Sequence, residues 1–105
     1  TNSFVAAFDA RDGKELWRTA RTDVPTWSTP TIAEVGNATH VLLNGWHHAG
    51  AYDFTTGKEV WRHDGGGDIP TPTPITADGL VFLTSGHGRF RPMQAVRLDS
   101  KGLAA

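Results

Sequence analysis

Cysteine is absent from this chain. That excludes disulfides and thiolate metal sites, and it leaves the compartment open, because an exported protein need not use disulfides. No apolar run approaches the roughly 20 residues that a membrane helix needs. No window keeps apolar residues at helical spacing. Neither sign of charge dominates: ten Lys and Arg stand against eleven Asp and Glu, a formal net charge of −1. Without a basic stripe there is no electrostatic footprint for nucleic acid. The opening residues Thr1-Asn2-Ser3-Phe4-Val5 carry no signal-peptide pattern.

Present instead are twelve glycines, six prolines and four tryptophans in 105 residues. Gly and Pro punctuate turns and Trp supplies large apolar area, a mixture that suits many short strands. One phrase then fixes the architecture. Ala7-Phe-Asp-Ala-Arg-Asp-Gly-Lys-Glu-Leu-Trp-Arg18 recurs 44 residues later as Ala51-Tyr-Asp-Phe-Thr-Thr-Gly-Lys-Glu-Val-Trp-Arg62, with seven positions identical. A repeat of this length means one supersecondary unit stacked on copies of itself.

Each copy reads as a hairpin. Phe4–Phe8 and Glu15–Thr19 flank the Asp12-Gly13 turn, and Gly50–Phe54 and Glu59–His63 flank Thr56-Gly57. Two strands are expected between the hairpins, at Thr29–Ala33 and His40–Asn44, with a turn at Gly36-Asn37. The set recurs at Thr73–Thr76 and Leu80–Thr84, and Met93–Leu98 begins a third copy, with Ala95 again 44 residues after Ala51. About nine strands and no helix result, four strands to a period, the pattern of a propeller blade. Asp9 and Asp53 are placed to accept turn amides, and Gly13 and Gly57 to take a positive φ.

The phrase resembles the repeat of the PQQ-like β-propeller family. That family includes pyrroloquinoline-quinone alcohol and sugar dehydrogenases and a lipoprotein scaffold of the bacterial outer-membrane assembly machinery. The resemblance implies an all-β segment of a β-propeller with four-stranded antiparallel blades of about 44 residues. Residues 3–19 are expected to form half a blade, 28–63 a complete blade and 72–98 part of another, within one partial propeller spanning 1–105. It also implies that Trp17 and Trp61 dock between neighbouring blades, and a periplasmic or extracellular location. Closure takes typically 4–8 blades. The expectation is therefore a fragment of a larger propeller, or a partial propeller completed by copies of itself through exposed blade edges.

Chemistry is harder to read. The family's dehydrogenases hold calcium with acidic and amide side chains and stack a Trp on the quinone; many add a disulfide between adjacent cysteines, absent here. Trp27 or Trp46 would be the stacking candidates, but no calcium ligand set maps onto this chain, so no cofactor is expected in it. His47 and His48 are adjacent, with His87 in the corresponding loop of the next copy. Neighbours in a strand point to opposite faces and would rarely grip one metal ion; Gly45–Gly50 reads as a loop, where that objection weakens, but no third ligand at characteristic spacing supports zinc and no metal site is expected. Arg89-Phe90-Arg91-Pro92 lengthens the later loop, and Arg beside an aromatic is a common binding-surface composition. The leading expectation is a non-catalytic binding or scaffold module with a protein partner; the alternative is a segment of a PQQ-dependent dehydrogenase.

Overall fold

The computed structural model describes residues 3–103. The described chain is all-β: β1 (Ser3–Phe8), β2 (Glu15–Arg21), β3 (Thr31–Val35), β4 (Ala38–Leu43), β5 (His48–Asp53), β6 (Glu59–Asp64), β7 (Ile75–Ala77), β8 (Leu80–Thr84), β9 (Met93–Arg97) and β10 (Gly102–Leu103). They form three sheets, ordered β1-β2, β10-β6-β5-β4-β3 and β7-β8-β9. Strands β3 to β6 are an antiparallel meander, as in a propeller blade, and the whole is a segment of a β-propeller.

The two hairpins are built alike to the level of single bonds. The amides of Asp9 and Asp53 donate to the carbonyls of Lys14 and Lys58, and those of Gly13 and Gly57 donate back to Asp9 and Asp53, all at 2.8 Å. Asp9 Oδ1 accepts the Arg11 amide at 2.9 Å, and Asp53 Oδ1 accepts the Thr55 and Thr56 amides at 3.0 and 2.8 Å. Both strands shift register at the same step, Ala7/Phe8 and Ala51/Tyr52. Both tryptophans pair across to the matching alanine, Ala7↔Trp17 and Ala51↔Trp61.

The elements depart from the sequence reading in two ways. The inner strands start later than expected, at Thr31 and Ile75, because Pro30 and Pro74 have no N–H to give a ladder. The segment Gly45–Gly50 is not all loop: His48, Ala49 and Gly50 already belong to β5. The third copy of the phrase differs from the first two. Its Asp and Gly positions hold Arg97 and Lys101, so neither the amide-accepting carboxylate nor the glycine of the turn is there. Instead β10 lies parallel to β6, pairing Gly102 with Trp61 and Leu103 with Arg62.

One apolar cluster joins the central and third sheets: Leu42, Ala49, Ala51 and Trp61 from the former, Val81, Leu83 and Val96 from the latter. Trp61 is 1% exposed. A ring of its size buries up to about 250 Å², an upper bound of about 6 kcal/mol by area. Trp17 sits at the first junction, half-buried, and its Nε1 donates to the Phe54 carbonyl at 2.9 Å across the sheet boundary. The corresponding acceptor for Trp61 would be Leu98, in the altered turn, and no described acceptor meets the Trp61 Nε1. The surroundings of the two tryptophans differ for that reason.

Gly13 and Gly57 share φ of +74°, but a Cβ on Gly13 would meet nothing, whereas one on Gly57 would collide with the Trp17 ring. Gly13→Ala is therefore expected to cost about 1 kcal/mol of backbone strain, and Gly57→Ala clearly more, because the inter-blade contact must also shift. Thermal melts of the two variants check this; equal losses would show that Trp17 does not hold the junction.

Candidate functional site

Antiparallel topology sends the connections to two opposite ends. The tight turns at 9–14, 36–37, 54–58 and 78–79 lie at one. The segments 22–30, 44–47, 65–74 and 85–92 lie at the other, the loop end. Bonds within the central sheet and across its boundary with the third tie the loop end together. The Gly65 amide donates to the His47 carbonyl at 3.1 Å, and Asn44 Nδ2 donates to the carbonyls of Thr84 and Pro72 at 2.9 and 3.2 Å.

Beneath this surface lies a buried polar cluster that the sequence reading missed. Arg21 closes β2, 6% exposed, and Asp23 follows at 1%. The Arg21 guanidinium donates to the Tyr52 hydroxyl, to the His48 carbonyl at 3.0 Å and to Asp23 Oδ2 at 3.3 Å. Asp23 Oδ1 accepts the amides of Val24 and His47 at 2.8 and 3.1 Å, with His47 Nδ1 also 3.1 Å away. His48 Nδ1 lies 3.9 Å from Asp23 Oδ2, and its buried Nε2 meets no described partner. Burial works to raise the Asp23 carboxyl, but the His47 and Val24 amides, with the charges of Arg21 and His48, hold it below its ordinary value. Burial, then Arg21 and Arg62, keep His48 easily deprotonated against the pull of Asp23 and Glu59. Burial also raises the Tyr52 hydroxyl.

The period itself hid this cluster. The positions 44 residues after Arg21 and Asp23 are Gly65 and Gly67. The role reappears one residue out of phase, at Asp68. Asp68 Oδ2 accepts the amides of Arg89 and Phe90 at 3.2 and 3.3 Å, and the Asp68 amide donates to the Phe90 carbonyl at 3.1 Å. Ser85 Oγ donates to the Asp68 carbonyl, and the Ser85 amide donates to Pro92 at 3.2 Å. Gly88, at φ +74°, leaves no room for a Cβ beside the Asp68 carboxylate. Each aspartate thus braces the long loop of the blade that follows it, Asp23 that of 44–47 and Asp68 that of 85–92.

The candidates from the sequence divide cleanly. Trp46, His47, His87, Arg89 and Arg91 all lie exposed at the loop end, with Trp27 and Phe90 at 63% and 54% exposure. His48 lies at the same end but inside the cluster. Asp9, Gly13, Trp17, Asp53, Gly57 and Trp61 belong to the hairpins and their junctions. His87 makes no side-chain bond to His47 or His48. Among the described residues no three His, Asp or Glu side chains come together as a cation site. Both oxygens of the buried Asp23 already face Arg21, the two histidines and two amides. That carboxylate, already satisfied, does not match the acidic-and-amide set with which the family's dehydrogenases hold calcium.

His48 and Asp23 both tie stability to pH. An unfolded histidine titrates near 6.5 while folded His48 resists protonation. Its contribution is complete above that pH and is lost as pH falls toward the folded value. Asp23 acts in the same direction, lost as pH falls from 3.8 through its lower folded value. The melting temperature is expected to drop between neutral pH and pH about 5, and His48→Gln to flatten that drop. An unchanged slope in the variant would remove His48 from the account.

A family model described as outer membrane protein assembly factor BamB matches residues 1–101. No curated protein matches the chain. No helix of the described residues is long and apolar enough to cross a membrane. The family match covers both hairpins, the central meander and the third sheet in a single span, and the chain belongs to the PQQ-like β-propeller repeat family.

Proposed function

We propose that this chain is a non-catalytic binding or scaffold module within a β-propeller, and that it meets a protein partner at the loop end. The observation that carries this reading is compositional. The exposed Trp27, Trp46, Phe90, Arg89 and Arg91 gather there. All three lysines, Lys14, Lys58 and Lys101, and all three glutamates, Glu15, Glu34 and Glu59, fall at or beside the turn end. Trp, Phe and Arg are enriched at the cores of protein interfaces, whereas Lys and Glu are depleted. The aspartate-braced loops support the same reading, since a loop fixed before binding loses less freedom on contact.

The family description supports a protein-binding role and a periplasmic or extracellular setting, as part of a larger propeller or of a ring of copies. Fold alone does not decide function, so the reading stands on the loop end itself.

Peptides selected from a displayed random library, mapped by amide hydrogen exchange, are expected to protect 44–47 and 85–91. Protection confined to the edges of β1 or β9, or no binder at all, would overturn the loop-end reading. The rival quinoprotein reading is checked by adding pyrroloquinoline quinone and calcium. No dye-linked alcohol oxidation is expected, and turnover with bound quinone absorbance would reverse the assignment.

A further inference from the structure

The described chain has seven arginines, and five of them carry a carboxylate of their own from close by in sequence. Arg11 pairs with Asp9 at 2.6 Å, Arg18 with Glu15 at 2.5 Å, Arg21 with Asp23 at 3.3 Å, Arg62 with Glu59 at 3.1 Å and Arg97 with Asp99 at 3.0 Å. Arg89 and Arg91 are the exceptions. Both are exposed, both flank Phe90, and neither guanidinium meets a described hydrogen-bond or ion-pair partner. A carboxylate is close at hand in Asp68, but it is taken up by the backbone amides of the same loop. The loop is thereby held in place by its main chain, and the two guanidinium forks are left over.

We infer that Arg89 and Arg91 are the carboxylate-recognising elements of the loop end, and that the partner is an acidic, aromatic-containing protein segment. This rests on the binding-module reading above and specifies its partner. A guanidinium is the side chain best matched to a carboxylate, because its planar fork offers two parallel N–H bonds. Exposed Phe90, next to both arginines in sequence, with Trp46 and Trp27 at the same end, supplies the apolar contact that an acidic segment carrying aromatics would cover. The carboxylates already at this end do not fill the role. Asp23 is buried against Arg21, Asp68 is bound by amides, and Asp64, though exposed, forms no ion pair with either arginine. Lysine-rich attraction of any anion is not the pattern here, since no lysine lies at this end.

The test uses the 105-residue chain and a labelled short peptide of glutamates interrupted by phenylalanines, read by fluorescence anisotropy. A lysine-phenylalanine peptide and polygalacturonate serve as the other arms. The acidic peptide is expected to bind, more weakly as salt rises from about 0.05 to about 0.5 M. R89E/R91E is expected to weaken it by about tenfold or more, while K14E/K58E at the turn end stays within about twofold. If R89E/R91E lowers the melting temperature, R89Q/R91Q is read in its place. Equal binding of the basic peptide, or equal loss in K14E/K58E, would overturn the carboxylate assignment and leave the loop-end reading standing. Binding of polygalacturonate through the same arginines without binding of the peptide would overturn the protein class of the partner. Failure of every probe, together with failure of library selection, would remove both the inference and the reading beneath it.

Discussion

Asp23 stays ionised where almost no solvent reaches it, held by the amides of His47 and Val24 and by the charge of Arg21. A carboxylate removed from water is stable only when paired and hydrogen-bonded. Arg21 supplies the opposite charge and at the same time grips the Tyr52 hydroxyl and the His48 carbonyl. One guanidinium therefore welds the last residue of β2 to the first and the penultimate residues of β5, across two sheets. Removing either partner of such a pair leaves an uncompensated buried charge, a loss of about 3–5 kcal/mol in general. The bracing of the 44–47 loop depends on it too, because the oxygen that accepts the His47 amide belongs to the same carboxylate. Any surface built on that loop inherits its order from this ion pair.

The legible part of the fold was the part under local control. The hairpins were readable because a turn needs an acceptor and a positive φ at fixed positions, and Asp9, Gly13, Asp53 and Gly57 supply them twice over. The starts expected at Thr29 and Thr73 lie before Pro30 and Pro74, whose missing N–H delays the ladders to Thr31 and Ile75. The site was less legible. Arg21, Asp23 and Tyr52 make sense only when two sheets meet, and the repeat offered no hint, since glycines stand at the equivalent positions of the first two. A shared aspartate one residue out of phase, Asp23 and Asp68, was the available signal. It was masked by strict adherence to a 44-residue period. The exposed candidates fared differently: Trp46, His47, His87, Arg89 and Arg91 were singled out by composition, and topology brings them to one end.

A division of labour follows along the strand axis. One end is closed by short hairpins whose polar side chains are consumed in their own turns: Asp9 by Arg11, Asp53 by Thr55 and Thr56, Arg97 by Asp99. At the other end the segments 44–47 and 85–92 are held by main-chain bonds to buried or half-buried aspartates, which frees their side chains for contact. Blades of one repeat thus present a self-satisfied surface and an available one. The difference arises from where carboxylates are spent internally, and net charge plays little part in it.

The short β10 has a consequence of its own. A strand at the rim of a sheet displays a row of unanswered donors and acceptors, and foreign chains can zip onto it. By lying parallel to β6, Gly102 and Leu103 occupy that rim beside Trp61 and Arg62. Two of the six residues of β6 are thereby withdrawn from such zipping.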